Sequence, residues 1–208
     1  DAAQQSEIDG ALIALDGTQN KSRLGGNAMI ATSMALLHAA AGARHMPLYA
    51  YLAQGKPIRM PLPEIQIFGG GAHAGRRVDI QDFMVMALGA RSFGEAVTMT
   101  AEIYRAAGEL MQEAGKLQGV ADEGGFWPAF ASNEDALTML MRAIERAGYR
   151  PGEEVGISLD IAASEFGRAG HYRLGLDGRE LDSDGLCELL LGWLDRFPIV
   201  SIEDPVAE

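Results

Sequence analysis

Two short apolar, β-branched runs end abruptly in a carboxylate: Gly156-Ile157-Ser158-Leu159-Asp160 and, about forty residues later, Ile199-Val200-Ser201-Ile202-Glu203. Such runs predict buried parallel strands whose C-terminal tips carry function. The stretch between them has room for a loop, a small hairpin around Tyr172 to Gly178 and a Leu-rich helix over 183–197. Both carboxylates then emerge side by side on one sheet edge, the edge where α/β barrels and open α/β sheets hold their ligands.

Earlier in the chain the periodicity is helical. Ile8, Ala11, Leu12 and Leu15 recur at helical spacing before the polar turn Asp16-Gly17-Thr18. The Ala- and Met-rich run over 27–41 is apolar on most of its circumference, which predicts a helix buried on more than one side, with His38 as a packed residue rather than a ligand. Pro47 starts a short helix, and Gln54 to Pro57 reads as a linker. Alternation then takes over. Ile65 to Phe68 and Ile80 to Met86 predict strands, the second with Gln81, Phe83 and Val85 on one face and Asp82, Met84 and Met86 on the other. Long helices are predicted over 92–115 and 132–148, each opening on a serine cap.

Composition narrows the class. With 29 acidic against 17 basic residues in 208, the formal net charge of −12 argues against nucleic acid as the main partner. No apolar run approaches the roughly 18 residues of a membrane span. The single cysteine, Cys187, excludes an internal disulfide, and no signal peptide is visible, so a cytoplasmic location is expected. The first residue is Asp rather than Met and the chain stops just after a strand, so a longer parent chain is expected at both ends.

The candidate chemistry lies at a few acids and one histidine. Two adjacent strand-end carboxylates repel unless a cation sits between them, and oxygen ligands favour Mg²⁺ or another hard divalent ion; the alternative for Asp160 and Glu203 is pairing with Lys or Arg. His73 follows Gly69-Gly70-Gly71, a run that suggests a mobile loop, so it is either a site residue on a flexible arm or an exposed linker histidine. Asp82 shares its face with two methionines, which puts it at a strand end or buried. Asp122-Glu123 sits in a glycine turn flanked by Val120 and Phe126-Trp127. Such pairs are usually solvated, but these flanks imply partial burial and a carboxyl suited to acid/base work.

Several of these stretches together resemble the enolase (phosphopyruvate hydratase) family: Leu15-Asp16-Gly17-Thr18, Gly26-Asn27-Ala28, Gly70-Gly71-Ala72-His73-Ala74, Asp79-Ile80-Gln81-Asp82-Phe83-Met84, Asp122-Glu123-Gly124-Gly125-Phe126, Leu159-Asp160 through Glu165-Phe166, and Ser201-Ile202-Glu203-Asp204-Pro205. They stand in family order across nearly the whole chain. The resemblance implies that residues 1–57 are the helical C-terminal part of an N-terminal α+β cap domain. Residues 58–208 are then the first half of a TIM-type α/β barrel whose second strand runs antiparallel.

The resemblance further implies magnesium-dependent dehydration of 2-phospho-D-glycerate to phosphoenolpyruvate, a glycolytic lyase reaction, in a homodimer or larger homo-oligomer. Position by position, Asp160 and Glu203 match metal carboxylates, and Glu203 also borders the substrate. Glu123 matches the acid that assists departure of the hydroxyl group, while Gln81 and His73 match substrate contacts, His73 on a closing loop. The third metal carboxylate and the lysine base are expected beyond Glu208, so this stretch alone is expected to be inactive. Where the family reads Glu in its second active-site acid this chain has Asp82, shorter by one methylene. Two family asparagines are replaced by Gln66 and Gly69, and Arg76-Arg77 adds positive charge to the loop. These departures leave two further readings: a superfamily enzyme that abstracts a proton α to the carboxylate of another substrate, and a non-catalytic binding protein on the same fold.

Overall fold

The structure is a computed structural model that describes residues 4–207 except 76, 77 and 177, and leaves the side chain of His73 outside the description. The chain forms two compact units, residues 1–59 and 60–208.

The first unit is helical: α1 (Gln5–Asp16), α2 (Gly26–Ala43) and α3 (Leu48–Ala53). Helix α1 ends where Gly17 turns left-handed at φ 71° and its N–H reaches the Ile13 carbonyl. Asp16 then organises the turn towards α2, accepting from the Thr18 N–H at 3.0 Å and the Leu24 N–H at 2.7 Å as well as from the Thr18 hydroxyl. These donors hold its carboxyl at about 2, well below the usual value. Helix α2 departs from the expectation of burial on several sides. Only Met29, Ala40 and Ala41 are buried, whereas Ile30, Met34 and His38 are exposed. An apolar circumference reports capacity for burial; here α1 and α3 cover only part of it.

The second unit opens with β1 (Glu64–Gly69) and β2 (Asp82–Met86), followed by α4 (Phe93–Glu113), β3 (Leu117–Val120), β4 (Phe126–Pro128) and α5 (Asn133–Arg146). Then come β5 (Gly156–Asp160), the small strands β6 (Gly167–Arg168), β7 (His171–Arg173) and β8 (Glu180–Asp182), α6 (Ser183–Arg196) and β9 (Ile199–Glu203). Six strands form one sheet in the order β3-β4-β1-β2-β5-β9, and β6-β7-β8 form a separate one. Strand β2 is antiparallel to both β1 and β5, while β5 and β9 are parallel. The large sheet is open, with β3 and β9 at its two edges.

The helix layer lies on the outward face of this sheet. Ser92 caps α4 through the Glu95 N–H at 3.1 Å, and Ser132 caps α5 through the Asp135 N–H at the same distance. Met99, Ile103, Ala107 and Leu110 of α4 and Leu137, Leu140 and Ile144 of α5 join Phe83, Val85, Ile157 and Leu159 of the sheet in one buried cluster. With Phe83, Val85, Ile157 and Leu159 committed to that side, the alternate residues Asp82, Met84, Ser158 and Asp160 face the barrel interior. The pattern thus fixes which side of each strand carries polar groups.

Candidate active site

The interior face gathers its acids through register. Asp82 of β2 stands opposite Asp160 of β5, and Asp160 stands opposite Glu203 of β9, so three carboxylates occupy one row across three neighbouring strands. The row exists because β2 is reversed: its first residue falls at the edge where β5 and β9 have their last. Asp82 is buried at 6% exposure, Asp160 is half-buried and Glu203 is exposed. Burial pushes the Asp160 carboxyl up, and the charges of Asp82 and Asp204 push it the same way, against the Ala162 N–H and the Gln81 amide. Those two donors lie at 2.9 Å each, on Asp160 Oδ1 and Oδ2 respectively. Gln81 therefore faces the row, although alternation had grouped it with Phe83 and Val85; β2 begins only at Asp82, so Gln81 lies outside the pleat.

A bulge brings in a further residue. Gly69 pairs with Asp82 and Phe68 with Phe83, but Gln66 pairs with Met84, because one extra residue of β1 is inserted between. An unbroken register would put Gln66 opposite Val85, on the helix side. With the bulge, its amide lies over the row. Its Nε2 donates to Asp82 and, at 3.3 Å, to Glu123 Oε2, while its Oε1 accepts from the Gly125 N–H at 2.7 Å.

Glu123 sits at the tip of the β3–β4 hairpin. That tip is closed by the Ala121 N–H to Gly125 carbonyl bond of 2.7 Å and held to α4 by the Tyr104 hydroxyl on the Gly124 carbonyl at 2.9 Å. Asp122 and Glu123 are both exposed, contrary to the expectation of partial burial. The flanking Phe126 turns away to stack on Tyr104 with ring centroids 4.1 Å apart, and so does not cover the acids.

The three glycines before His73 also differ from expectation. Gly69, Gly70 and Gly71 are buried, and the base of the arm is bonded from Gly70 N–H to the Gln81 carbonyl (2.7 Å) and from Gly71 N–H to the Val78 carbonyl (2.9 Å). A Cβ on Gly70 would stand 2.1 Å from the Ile80 carbonyl oxygen, so this glycine serves close backbone approach. The roles expected of the His73 side chain and of Arg76-Arg77 fall outside the described residues. Below the arm, Asp79 accepts from Asn133 Nδ2 at 2.9 Å and the Gly175 N–H at 2.6 Å, while Asn133 Oδ1 accepts from the Asp79 N–H at 3.0 Å.

Among the described residues, no three His, Cys, Asp or Glu side chains are grouped closely enough to form a metal shell by themselves. A cavity of about 850 Å³ lies at the β6–β8 hairpin, lined by residues such as Arg168, Tyr172 and Glu180, and contains none of the row's carboxylates.

Comparison with known families matches residues 57–208 to "Enolase, C-terminal TIM barrel domain" and residues 1–52 to "Enolase, N-terminal domain". The chain belongs to the enolase family. Its open sheet is thus part of the enolase barrel, and its kind of chemistry is that of an enolase-superfamily lyase. Of the expected site residues, the fold places Asp82, Asp160 and Glu203 in one row, joins Gln81 to it through Asp160, and joins Glu123 to it through Gln66. Gln66 and Asp79 carry connections that sequence reading did not assign. Gln66 was visible only as an exchange of amide length, and nothing in the sequence marks Asp79 as a partner of Asn133.

Proposed function

We propose that this enolase chain belongs to a magnesium-dependent phosphopyruvate hydratase that converts 2-phospho-D-glycerate to phosphoenolpyruvate, a cytoplasmic glycolytic step carried out by a homo-oligomer. The observation that carries the reading is the in-register row Asp82–Asp160–Glu203 with Glu123 brought to it by Gln66. In this dehydration a base takes the proton from the carbon beside the substrate carboxylate, and the hydroxyl on the next carbon takes a proton from an acid and departs as water. Charge therefore accumulates on a group that is already anionic.

Asp160 and Glu203 would hold Mg²⁺. The donors fit a hard divalent ion: both are carboxylates and they are neighbours in register. When bound, the ion supplies positive charge that offsets the charge gathering on the substrate carboxylate. Glu123, exposed at its hairpin tip, is placed to pass a proton to the departing hydroxyl, and Asp82 supports it through the shared Gln66 amide. Gln81, held against Asp160, and His73 on its arm serve substrate contact. Exclusion of water by that arm is part of the same reading.

The deciding experiment measures kcat/KM of the longer parent protein that carries this chain on 2-phospho-D-glycerate with and without Mg²⁺, beside Asp160→Asn and Glu123→Gln. Metal-dependent turnover that falls by on the order of 10²-fold or more in each variant is expected. A metal-loaded, folded wild type without turnover would end this reading in favour of another substrate.

A further inference from the structure

We propose that Gln66 is a positioning residue of this site, a single oriented amide that sets the spacing of Asp82 and Glu123, and that its length is matched to the short side chain of Asp82. Orientation comes first. The Gly125 N–H can only donate, so the amide must present Oε1 to it at 2.7 Å, and the NH₂ must then face the two acids. That NH₂ has two hydrogens and meets two carboxylates, Asp82 and Glu123. The three groups are drawn from β1, β2 and the β3–β4 hairpin, so the contact ties together elements that local sequence cannot align.

Space comes second. A Cβ on Gly125 would lie 2.4 Å from Gln66 Oε1, and one on Gly69 would lie 3.3 Å from Gln66 Nε2 and 2.5 Å from the Ala121 Cβ. Both glycines leave the room this longer amide occupies. The bulge in β1 supplies the third condition by turning Gln66 onto the interior face. Gln66, Gly69 and Asp82, the three changed positions that the strands themselves carry, are thus neighbours around one contact. Against the residues that the resemblance implies at these positions, the amide is longer by one methylene, the acid shorter by one, and the side chain at 69 absent.

The activity part of the test rests on the hydratase reading; the structural part does not. In the longer parent protein that carries this chain, Gln66→Asn, Asp82→Glu and the double variant are compared with wild type for kcat and KM on 2-phospho-D-glycerate, and the hydrogen exchange of the Gly125 amide is followed by NMR in each. Each single variant is expected to lower kcat by about 10- to 100-fold with a smaller change in KM, the scale of a misplacement near 1 Å. The double variant, which moves the methylene from amide to acid, is expected to recover most of that loss. Singles at the wild-type rate, or a double variant whose losses multiply, would overturn the matched-length proposal. The Gly125 amide is expected to be protected in wild type and to exchange at least tenfold faster in Gln66→Asn. Fast exchange in wild type overturns the oriented amide. An inactive wild type with a protected Gly125 amide that Gln66→Asn releases would end the hydratase reading and still support Gln66 as the tether.

Discussion

Asp160 and Glu203 stand opposite each other on parallel neighbouring strands, and among the described residues neither is paired with a lysine or arginine. Two carboxylates so placed raise the local negative potential that a cation lowers. Mg²⁺ titration by calorimetry should therefore give binding weakened at least tenfold in Asp160→Asn or Glu203→Gln, about 1.4 kcal/mol. Unchanged affinity in both would remove this pair as the cation's seat.

Acid should act on the helical unit through Asp16. Its carboxyl lies at about 2 in the folded protein against an ordinary 3.8, so it binds fewer protons folded than unfolded. Its stabilising contribution is complete above the ordinary value and disappears as pH falls through the folded one. In a melting series, the Tm gap between wild type and Asp16→Asn should be constant above about pH 4 and close between there and pH 2. A gap that persists at pH 2 would contradict the assignment.

Two glycines should respond oppositely to alanine. Gly70→Ala forces a Cβ against the Ile80 carbonyl at 2.1 Å and should cost about 1–3 kcal/mol, as overpacking does, visible in a urea titration. Gly192 lies inside α6 with nothing within 4 Å of a new Cβ. Gly192→Ala should be neutral or stabilise by roughly 0.5–1 kcal/mol.

Asp79→Asn would turn an acceptor of the Gly175 N–H and Asn133 Nδ2 into a group that presents hydrogens to at least one of them. A loss of about 1–3 kcal/mol is expected on chemical denaturation. In a double-mutant cycle with Asn133→Ala the two losses should be non-additive, since the residues share their bonds. Full additivity would mean that the clasp contributes nothing as a unit.

The Asp160–Glu203 pair was legible because strand alternation and strand-terminal acids are local signals: β5 and β9 could be read residue by residue, and their common edge followed from parallel pairing. Strands β3 and β4 were not, since runs of four and three residues, one interrupted by Gly119, are too short for a period-2 pattern. The exposure of Glu123 was misread because its aromatic neighbour found a partner on α4 that lies distant in sequence. The role of Gln66 depended on a bulge, and nothing in Ile65-Gln66-Ile67-Phe68 says which residue is extra. Asn133 is the first residue of α5 after the capping Ser132, yet its side chain serves Asp79.

The reversal of β2 also decides where chain length can vary. Because β1 ends and β2 begins at the carboxylate edge, the connection between them leaves and returns at that edge, with the Gly70 N–H bonded to the Gln81 carbonyl at its root. The segment leaving β2 for α4 emerges at the opposite edge. Val78 and Ile80 of the first segment belong to the buried cluster and Asp79 is bonded to Asn133 of α5, so insertion and deletion can tune the reach of the His73 arm only between Gly71 and Val78, separately from the barrel beneath it.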